Sequence, residues 1–471
     1  MMEKFFKLSE HNTNVRTEII AGVTTFMAMA YILMVNPGMF AELGTVSYGA
    51  MYISTALSAV VGTVLIGLLA NLPLAQAPGM GLNAFFVYTA CFGLGFSYAN
   101  SLLFVLADGL IFVTLTVTGL RRLLFNAIPR EVKNAISAGI GLFIAFLGLQ
   151  NAGLVVNDPA TCVNLASFNL LGGASWADIM PRLVTVFALV AIGILSKRNV
   201  KGAILWGILG ATAAYYLLGF TIPGFYTGFM DGVSLNPFVA FGAFATEAFG
   251  TVFRAGFDFS DYLAMEGHSV SGLIITFVTT ALAFCMVDMF DTMGTLYGAC
   301  RGGGLLIKNE KGEEEVPNMD RAMLADAIAT CFGSVCGTST VTTFVEASSG
   351  VAAGGRTGLA AMVTGLLFFI SLFLSPLAAL IPACAYSAAL VYVGVLMIGS
   401  VRDIEWSDPA VALPAFLTLV MMPFTYNISY GIAFGLIAFI CMKVFTGEAK
   451  KVNGGTWVIA ALFAAMFFLT H

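Results

Sequence analysis

Long apolar runs, bounded by charges, glycines or prolines, alternate with short polar links along the chain. They fall at about 18–36, 48–70, 76–92, 100–119, 131–150, 182–196 and 201–219, and again at 269–298, 322–336, 338–353, 357–380, 382–400, 409–425 and 428–445. A polar stretch, 220–268, separates seven runs from seven. A membrane-crossing helix needs about 20 apolar residues, so the pattern predicts an all-α polytopic membrane protein with fourteen segments. A further apolar run at 456–470 lies within 447–471, beyond the fourteenth segment. The pattern leaves open whether it spans the bilayer or rests on it. Strands of an outer-membrane barrel would alternate apolar and polar at every second residue, and these runs do not.

Composition narrows the class further. Of 471 residues, 59% are hydrophobic and 10% charged, with a mean hydropathy of +0.92. Soluble domains carry about 25% charged residues, so a water-soluble enzyme is excluded for want of polar surface. A net charge of −5 gives no basic footprint for nucleic acid. The eight cysteines form no CxxC pair and there are three histidines, which speaks against a metal site or a disulfide framework. The N-terminal stretch is charged and lacks a small-residue cleavage site, so it does not read as a signal peptide.

Basic residues orient the segments. With the N-terminus in the cytoplasm, the inner links hold Arg121, Arg122, Arg130 and Lys133, then Lys197, Arg198 and Lys201, then Arg301, Lys308, Lys311 and Arg321, then Arg356 and Arg402. Only Arg182 and Arg254 face outward, so 19 of the 21 Lys and Arg residues (21 less 2) obey the rule. Two halves with seven segments each, 1–219 and 269–446, must sit upside down relative to each other, with 220–268 as an extracellular linker. Inverted repeats of this kind place their solute site near the midplane, at broken helices. The third segment opens with Pro73, Pro78, Gly79 and Gly81; the tenth opens Gly337-Thr-Ser-Thr-Val-Thr-Thr343. Each predicts a short extended stretch followed by a half-helix, since β-branched runs and prolines disfavour helix.

Carboxylates inside the runs are few: Asp108, Asp288, Asp291, Asp326 and Glu346. A charge at the bilayer centre is costly, so such residues face the bundle interior and point to function. Asp288 and Asp291 are three apart and share a helix face; together they suit a proton-coupled carrier, with Asp291 bracing and Asp108 in support. The plainer alternative is that one of them caps nearby Thr292 or Thr295. Glu346 follows the threonine-rich stretch at the start of a half-helix, where backbone N–H groups stabilise an anion. Because a carboxylate already fills that place, the ligand should present N–H donors, as a flat ring with two adjacent donors does. Asn83 holds the matching position in the third segment, either as a ligand or as a helix cap. Phe344 either stacks on a planar ligand or simply packs, as most of the 41 phenylalanines do.

Other motifs carry less. Gly79-Met-Gly-Leu-Asn-Ala84 fits a loose dinucleotide pattern without a βαβ unit around it. Arg301-Gly-Gly-Gly304 lacks the ending of a phosphate loop. Glu313–Glu315 reads as a solvated loop and His268 as a surface residue.

Four longer motifs decide the matter. Thr17-Glu-Ile-Ile-Ala-Gly-Val-Thr-Thr-Phe26 with Ala30-Tyr31 and Asn36-Pro37, Ala77-Pro-Gly-Met-Gly-Leu-Asn-Ala-Phe-Phe86, Val287-Asp-Met-Phe-Asp-Thr-Met-Gly-Thr-Leu296 and Gly337 through Val351 resemble the purine permeases of the nucleobase–cation symporter-2 family. The likeness is to the AzgA-like hypoxanthine/guanine/adenine branch and runs nearly end to end. It implies a core of segments 1–4 and 8–11 (18–119 and 269–380) that holds the base. It also implies a gate of segments 5–7 and 12–14 (131–219 and 382–446) that mediates a homodimer. By the same resemblance, Asn83, Asp288, Phe344 and Glu346 bind the base, and Asp288, Asp291 and Asp108 serve proton coupling. Related uracil permeases carry a Glu and a His where this chain has Asp288 and Thr292, which favours the purine branch. The expectation is a multi-pass cytoplasmic-membrane symporter for a purine, guanine or hypoxanthine before adenine or another nucleobase (xanthine or uracil), with a co-transported proton and no cofactor. An anion carrier of the same architecture, an intramembrane enzyme and a channel are the rival classes.

Overall fold

The computed structural model describes residues 2–119, 128–221, 236–265, 269–308 and 314–469. Arg121, Arg122, Lys311, Glu313 and His268, together with 222–235 of the linker, lie outside the described residues. Among those described, nine helices are long and apolar enough to cross a membrane, from Val15–Ala41 to Ile428–Phe445. Four shorter apolar helices accompany them: Met80–Gly93, Ala203–Gly219, Pro409–Thr425 and Gly454–Phe468. The chain is a multi-pass, mostly helical membrane protein.

Local signals set the helix ends. Ser47, Ser269 and Asn427 accept hydrogen bonds from the backbone N–H groups of Ala50, Gly272 and Tyr430. Ser97 with Asn100, and Ser175 with Asp178, form reciprocal caps. The eighth segment runs without interruption from Val270 to Gly302; at 1.5 Å per residue it is about 50 Å long, more than a hydrocarbon core of about 30 Å requires. The first segment is broken between Val15–Met29 and Ile32–Ala41. Pro37, with no N–H for the Leu33 carbonyl, lies just beyond the break.

The broken third and tenth segments meet. Gln76–Pro78 pairs antiparallel with Val341–Thr343, with Gln76 opposite Thr343, Ala77 opposite Thr342 and Pro78 opposite Val341. The Phe344 N–H donates to the Ala75 carbonyl at 3.1 Å and the Gly79 N–H to the Thr340 carbonyl at 3.0 Å, which extends the ladder at both ends. Backbone polar groups buried at membrane depth need partners, and each extended stretch supplies the other's. The third segment continues as Met80–Ala84 and then as wide turns over Phe85–Gly93. The tenth continues as a short tight turn, Val345–Ala347, and the five-residue helix Ser348–Ala352.

Segments 5, 12, 13 and 14 pack on one another, and segments 2, 4, 9 and 11 form a second group with segment 1. Glu18 ties the first segment to the eleventh: its buried carboxylate accepts from the N–H groups of Arg356, Thr357 and Ala360. The last helix, Gly454–Leu469, packs against segments 8 and 14, with Phe467 beside Tyr430 and Phe434. A small exposed hairpin, Val155–Asp158 with Cys162–Leu165, joins segments 5 and 6; hydropathy alone gave no sign of it.

Close helix crossings depend on glycine. A Cβ on Gly358 would lie 2.0 Å from the Gly67 carbonyl oxygen, a backbone atom that cannot swing aside. Gly358→Ala should therefore cost about 1–3 kcal/mol, against a helix-propensity gain of at most about 1 kcal/mol. The expected result is a lower thermal midpoint for the detergent-purified protein. An unchanged midpoint would mean that segments 2 and 11 can part here without loss.

Candidate functional site

The threonine-rich stretch of the tenth segment does more than interrupt a helix. Its hydroxyls donate to acids on three different segments: Thr340 to Asp108 at 3.1 Å, Thr342 to Asp291 at 3.3 Å and Thr343 to Asp326 at 3.3 Å. Asp326 also accepts from Gln76 Nε2 at 2.9 Å and from Thr292 Oγ1 at 2.9 Å. With three donors it is a fully satisfied carboxylate that braces the strand pair. Asp288 receives one long hydrogen bond, 3.4 Å from Thr330, and its Oδ1 has no partner. Oδ1 of Asp108 is likewise unpartnered.

In front of this acid cluster lies a cavity of about 1070 Å³. Lys133, Asn134, Ser400 and Asp403 line its mouth, and Asp291, Thr295, Val345, Glu346 and Met397 its depth. The same five deep residues bound a smaller space of about 50 Å³ whose further walls include Tyr31, Gly79, Gly81 and Phe344. The smaller space accommodates water only; the larger one, at about 1070 Å³, has volume enough for a ring-sized solute. Glu346 stands between them, and Tyr31 donates to its Oε1 at 2.7 Å. Tyr31 is itself buried, 1% exposed, at the break in the first segment. It therefore holds the carboxylate with one oxygen engaged and leaves the other for a solute.

The structure brings Glu346 and Asp291 together at the cavity, sets Phe344 in the wall of the smaller space only, and leaves the remaining expected residues outside both linings. Asp288, one turn before Asp291, points toward Thr330 of the ninth segment. Three residues on a helix differ by about 60° in direction and 4.5 Å in height, enough for one acid to line the cavity while the other is buried among Asp108 and Asp326. Asn83 staples the two breaks: its Nδ2 donates to the Pro78 carbonyl at 3.3 Å and its Oδ1 accepts from the Ser339 hydroxyl. It lines neither cavity. The support expected for Glu346 also differs, because the helix that follows it has only five residues. A phenol, rather than a long half-helix, holds the carboxylate. Tyr31 is the residue that sequence reasoning passed over, although it stands in the Ala30-Tyr31 motif, and Gln76 is another. Nothing in a hydropathy pattern marks a tyrosine in the first segment as the partner of a glutamate in the tenth.

Residues 16–434 match the permease family Xan_ur_permease. The chain is 39% identical over 475 residues to the guanine/hypoxanthine permease PbuG of Bacillus subtilis (strain 168), covering 99% of both chains. It is 38% identical over 466 residues to the adenine permease AdeP of Escherichia coli (strain K12), covering 98% of this chain and 95% of that one. Among solved structures, the transmembrane domain of a cyanobacterium bicarbonate transporter, BicA, superimposes with a TM-score of 0.57 at 15% identity, over 91% of this chain and 97% of that one. That likeness concerns the fold alone. Motifs, fold and relatives agree along the whole length: the chain belongs to the Xan_ur_permease family of permeases, and it is a membrane transporter and not an enzyme.

Proposed function

We propose that the chain is a purine nucleobase:proton symporter of the cytoplasmic membrane that imports guanine or hypoxanthine by alternating access. The observation that carries this reading is the cavity of about 1070 Å³ whose lining includes Glu346, a carboxylate held by the Tyr31 phenol. Glu346 accepts hydrogen bonds from ring or exocyclic N–H groups of the base, Asp291 bounds the other side and Phe344 lies next to the site. The five residues shared by the cavity and the smaller space include two acids, Asp291 and Glu346, and no Lys or Arg, an environment that repels anions and argues against an anion carrier. Fourteen crossings with a cytoplasmic N-terminus place the Lys133–Asp403 mouth on the cytoplasmic side, so the cavity is open inward. Asp288, buried behind the site with an unpartnered oxygen, takes the transported proton, with Asp108 and Asp291 around it. Segments 5–7 and 12–14 form the gate through which two copies associate.

Adenine is the second reading, favoured by the near-equal similarity to adenine and guanine/hypoxanthine permeases. The test is uptake of labelled hypoxanthine, guanine, adenine and uracil by cells that lack their own purine permeases, with and without a protonophore. Uptake of hypoxanthine and guanine that collapses with the protonophore supports the proposal. Adenine uptake alone supports the second reading, and no uptake of any base by a well-expressed protein rejects both.

A further inference from the structure

Lys133 lies at the cavity mouth, and from there the fifth-segment helix climbs 18 residues to Asn151, about 27 Å at 1.5 Å per residue. At that far end the two groups of segments are joined by polar contacts. Asn151 Nδ2 donates to Glu42 Oε1 at 3.0 Å and lies 3.3 Å from the Tyr88 hydroxyl. Tyr88 in turn donates to Glu42 Oε2 at 2.8 Å. Glu42 ends the first segment and Tyr88 belongs to the third, whereas Asn151 ends the fifth. Beside them, Thr89 Oγ1 donates to the Tyr426 carbonyl at 3.0 Å, from the third segment to the end of the thirteenth.

Tyr426 is built to present that carbonyl. It adopts a left-handed backbone with φ of 53° between two helices, a conformation uncommon for a bulky residue. Its ring is edge-on to Phe143 and its hydroxyl is bonded to Gln150. Nearby, the first and twelfth segments touch so closely that a Cβ on Gly38 would lie 2.6 Å from Cζ of Tyr386. Thus the molecule is open at one end of these helices and pinned shut at the other by contacts between the same two groups of segments.

We propose that Glu42, Tyr88 and Asn151, together with Thr89 and the Tyr426 carbonyl, form a latch that closes the extracellular face. The latch must part before the site can be exposed on that side. This inference rests on alternating access between two faces and on the orientation argued above, and not on which solute is carried. Its hydrogen bonds are few, so they can break and re-form in each cycle without local unfolding.

The test needs no solute. In the full-length protein, with the accessible cysteines Cys91, Cys162, Cys331 and Cys441 replaced by serine, Val393→Cys places a thiol in the wall of the small space. Val393 is 5% exposed. A membrane-impermeant maleimide added outside intact cells reaches it only when the extracellular face opens. Removing both cross-links with Asn151→Ala and Thr89→Val takes away three hydrogen bonds and should speed labelling at least about tenfold, their effect at the low end of ordinary strength. Thr89→Val alone, which removes one of the three bonds, should speed it by a smaller factor, about 2–3-fold. Surface expression and monodispersity identify variants that fail to fold. Labelling that stays at the parental rate in both folded variants overturns the latch, whatever the uptake experiment finds.

Discussion

Glu346→Gln is expected to lower purine uptake by about 100-fold at equal surface expression. The carboxylate has acceptor oxygens on both sides, one taken by the Tyr31 hydroxyl at 2.7 Å and one left for the base. An amide has a single oxygen. If that oxygen keeps Tyr31, the NH2 group faces the N–H groups of the base; if the amide turns over, NH2 faces the tyrosine hydroxyl. The first sets donor against donor in a buried site, and the second, in which the phenol oxygen accepts from NH2, makes the phenol give up its role as donor; the cost is about 1–3 kcal/mol on top of the lost charge-assisted bond, and each 1.4 kcal/mol is tenfold. Tyr31→Phe is the milder change. It keeps both acceptors but frees the carboxylate to rotate, so KM should rise about 5–10-fold, the value of one hydrogen bond, with maximal rate retained. Measured kinetics of labelled uptake decide this. Wild-type KM in Glu346→Gln would remove Glu346 from the binding site.

Asp288→Asn should abolish accumulation against a gradient and leave exchange of base for base. Asp288 is fully buried, lines neither cavity and accepts one 3.4 Å hydrogen bond. Asparagine has nearly the same shape, so packing and the cavity survive, while the position loses its ability to gain and lose a proton. Binding and the movement of the core then continue without coupling to the proton gradient. The steady-state level of labelled purine should fall to that of protonophore-treated cells, and counterflow from preloaded vesicles should persist. Proton-driven accumulation that survives the substitution would place coupling elsewhere, with Asp108 as the next candidate because its Oδ1 is equally unpartnered. Asp326 is the poorer choice for such a test. Its three donors would be left facing an amide, and loss of function there would not separate coupling from folding.

Part of this molecule follows from local chemistry along the chain. Apolar runs of membrane length dictate helices, and Lys and Arg in the links predict their direction. Prolines, glycines and a β-branched run dictate where two segments cannot be helical. Acids within apolar segments declare themselves because nothing but function or a satisfied network offsets their burial. Glu346 and Asp291 were legible in this way, Phe344 only as one of two readings of an aromatic beside Glu346, and the family resemblance rests on contiguous motifs that need no folding to be read.

Tertiary packing decided the rest, because it depends on partners far apart in sequence. The strand at Gln76–Pro78 is complete only against Val341–Thr343; neither stretch satisfies its own backbone. The choice of Asp291 for the cavity and Asp288 for the interior depends on which neighbour fills each side of one helix. Asn83 looks like a ligand or a cap until Ser339 is seen to occupy its oxygen. Tyr31 becomes part of the site only when the first segment is laid beside the tenth. That one end of the helices encloses a cavity while the other is pinned by Asn151 and Tyr426 belongs to the arrangement of two groups of segments, each unaltered in sequence when the other moves. Hydropathy and charge act on each residue where it stands, whereas buried hydrogen bonds and close backbone crossings are satisfied by whatever the fold brings near.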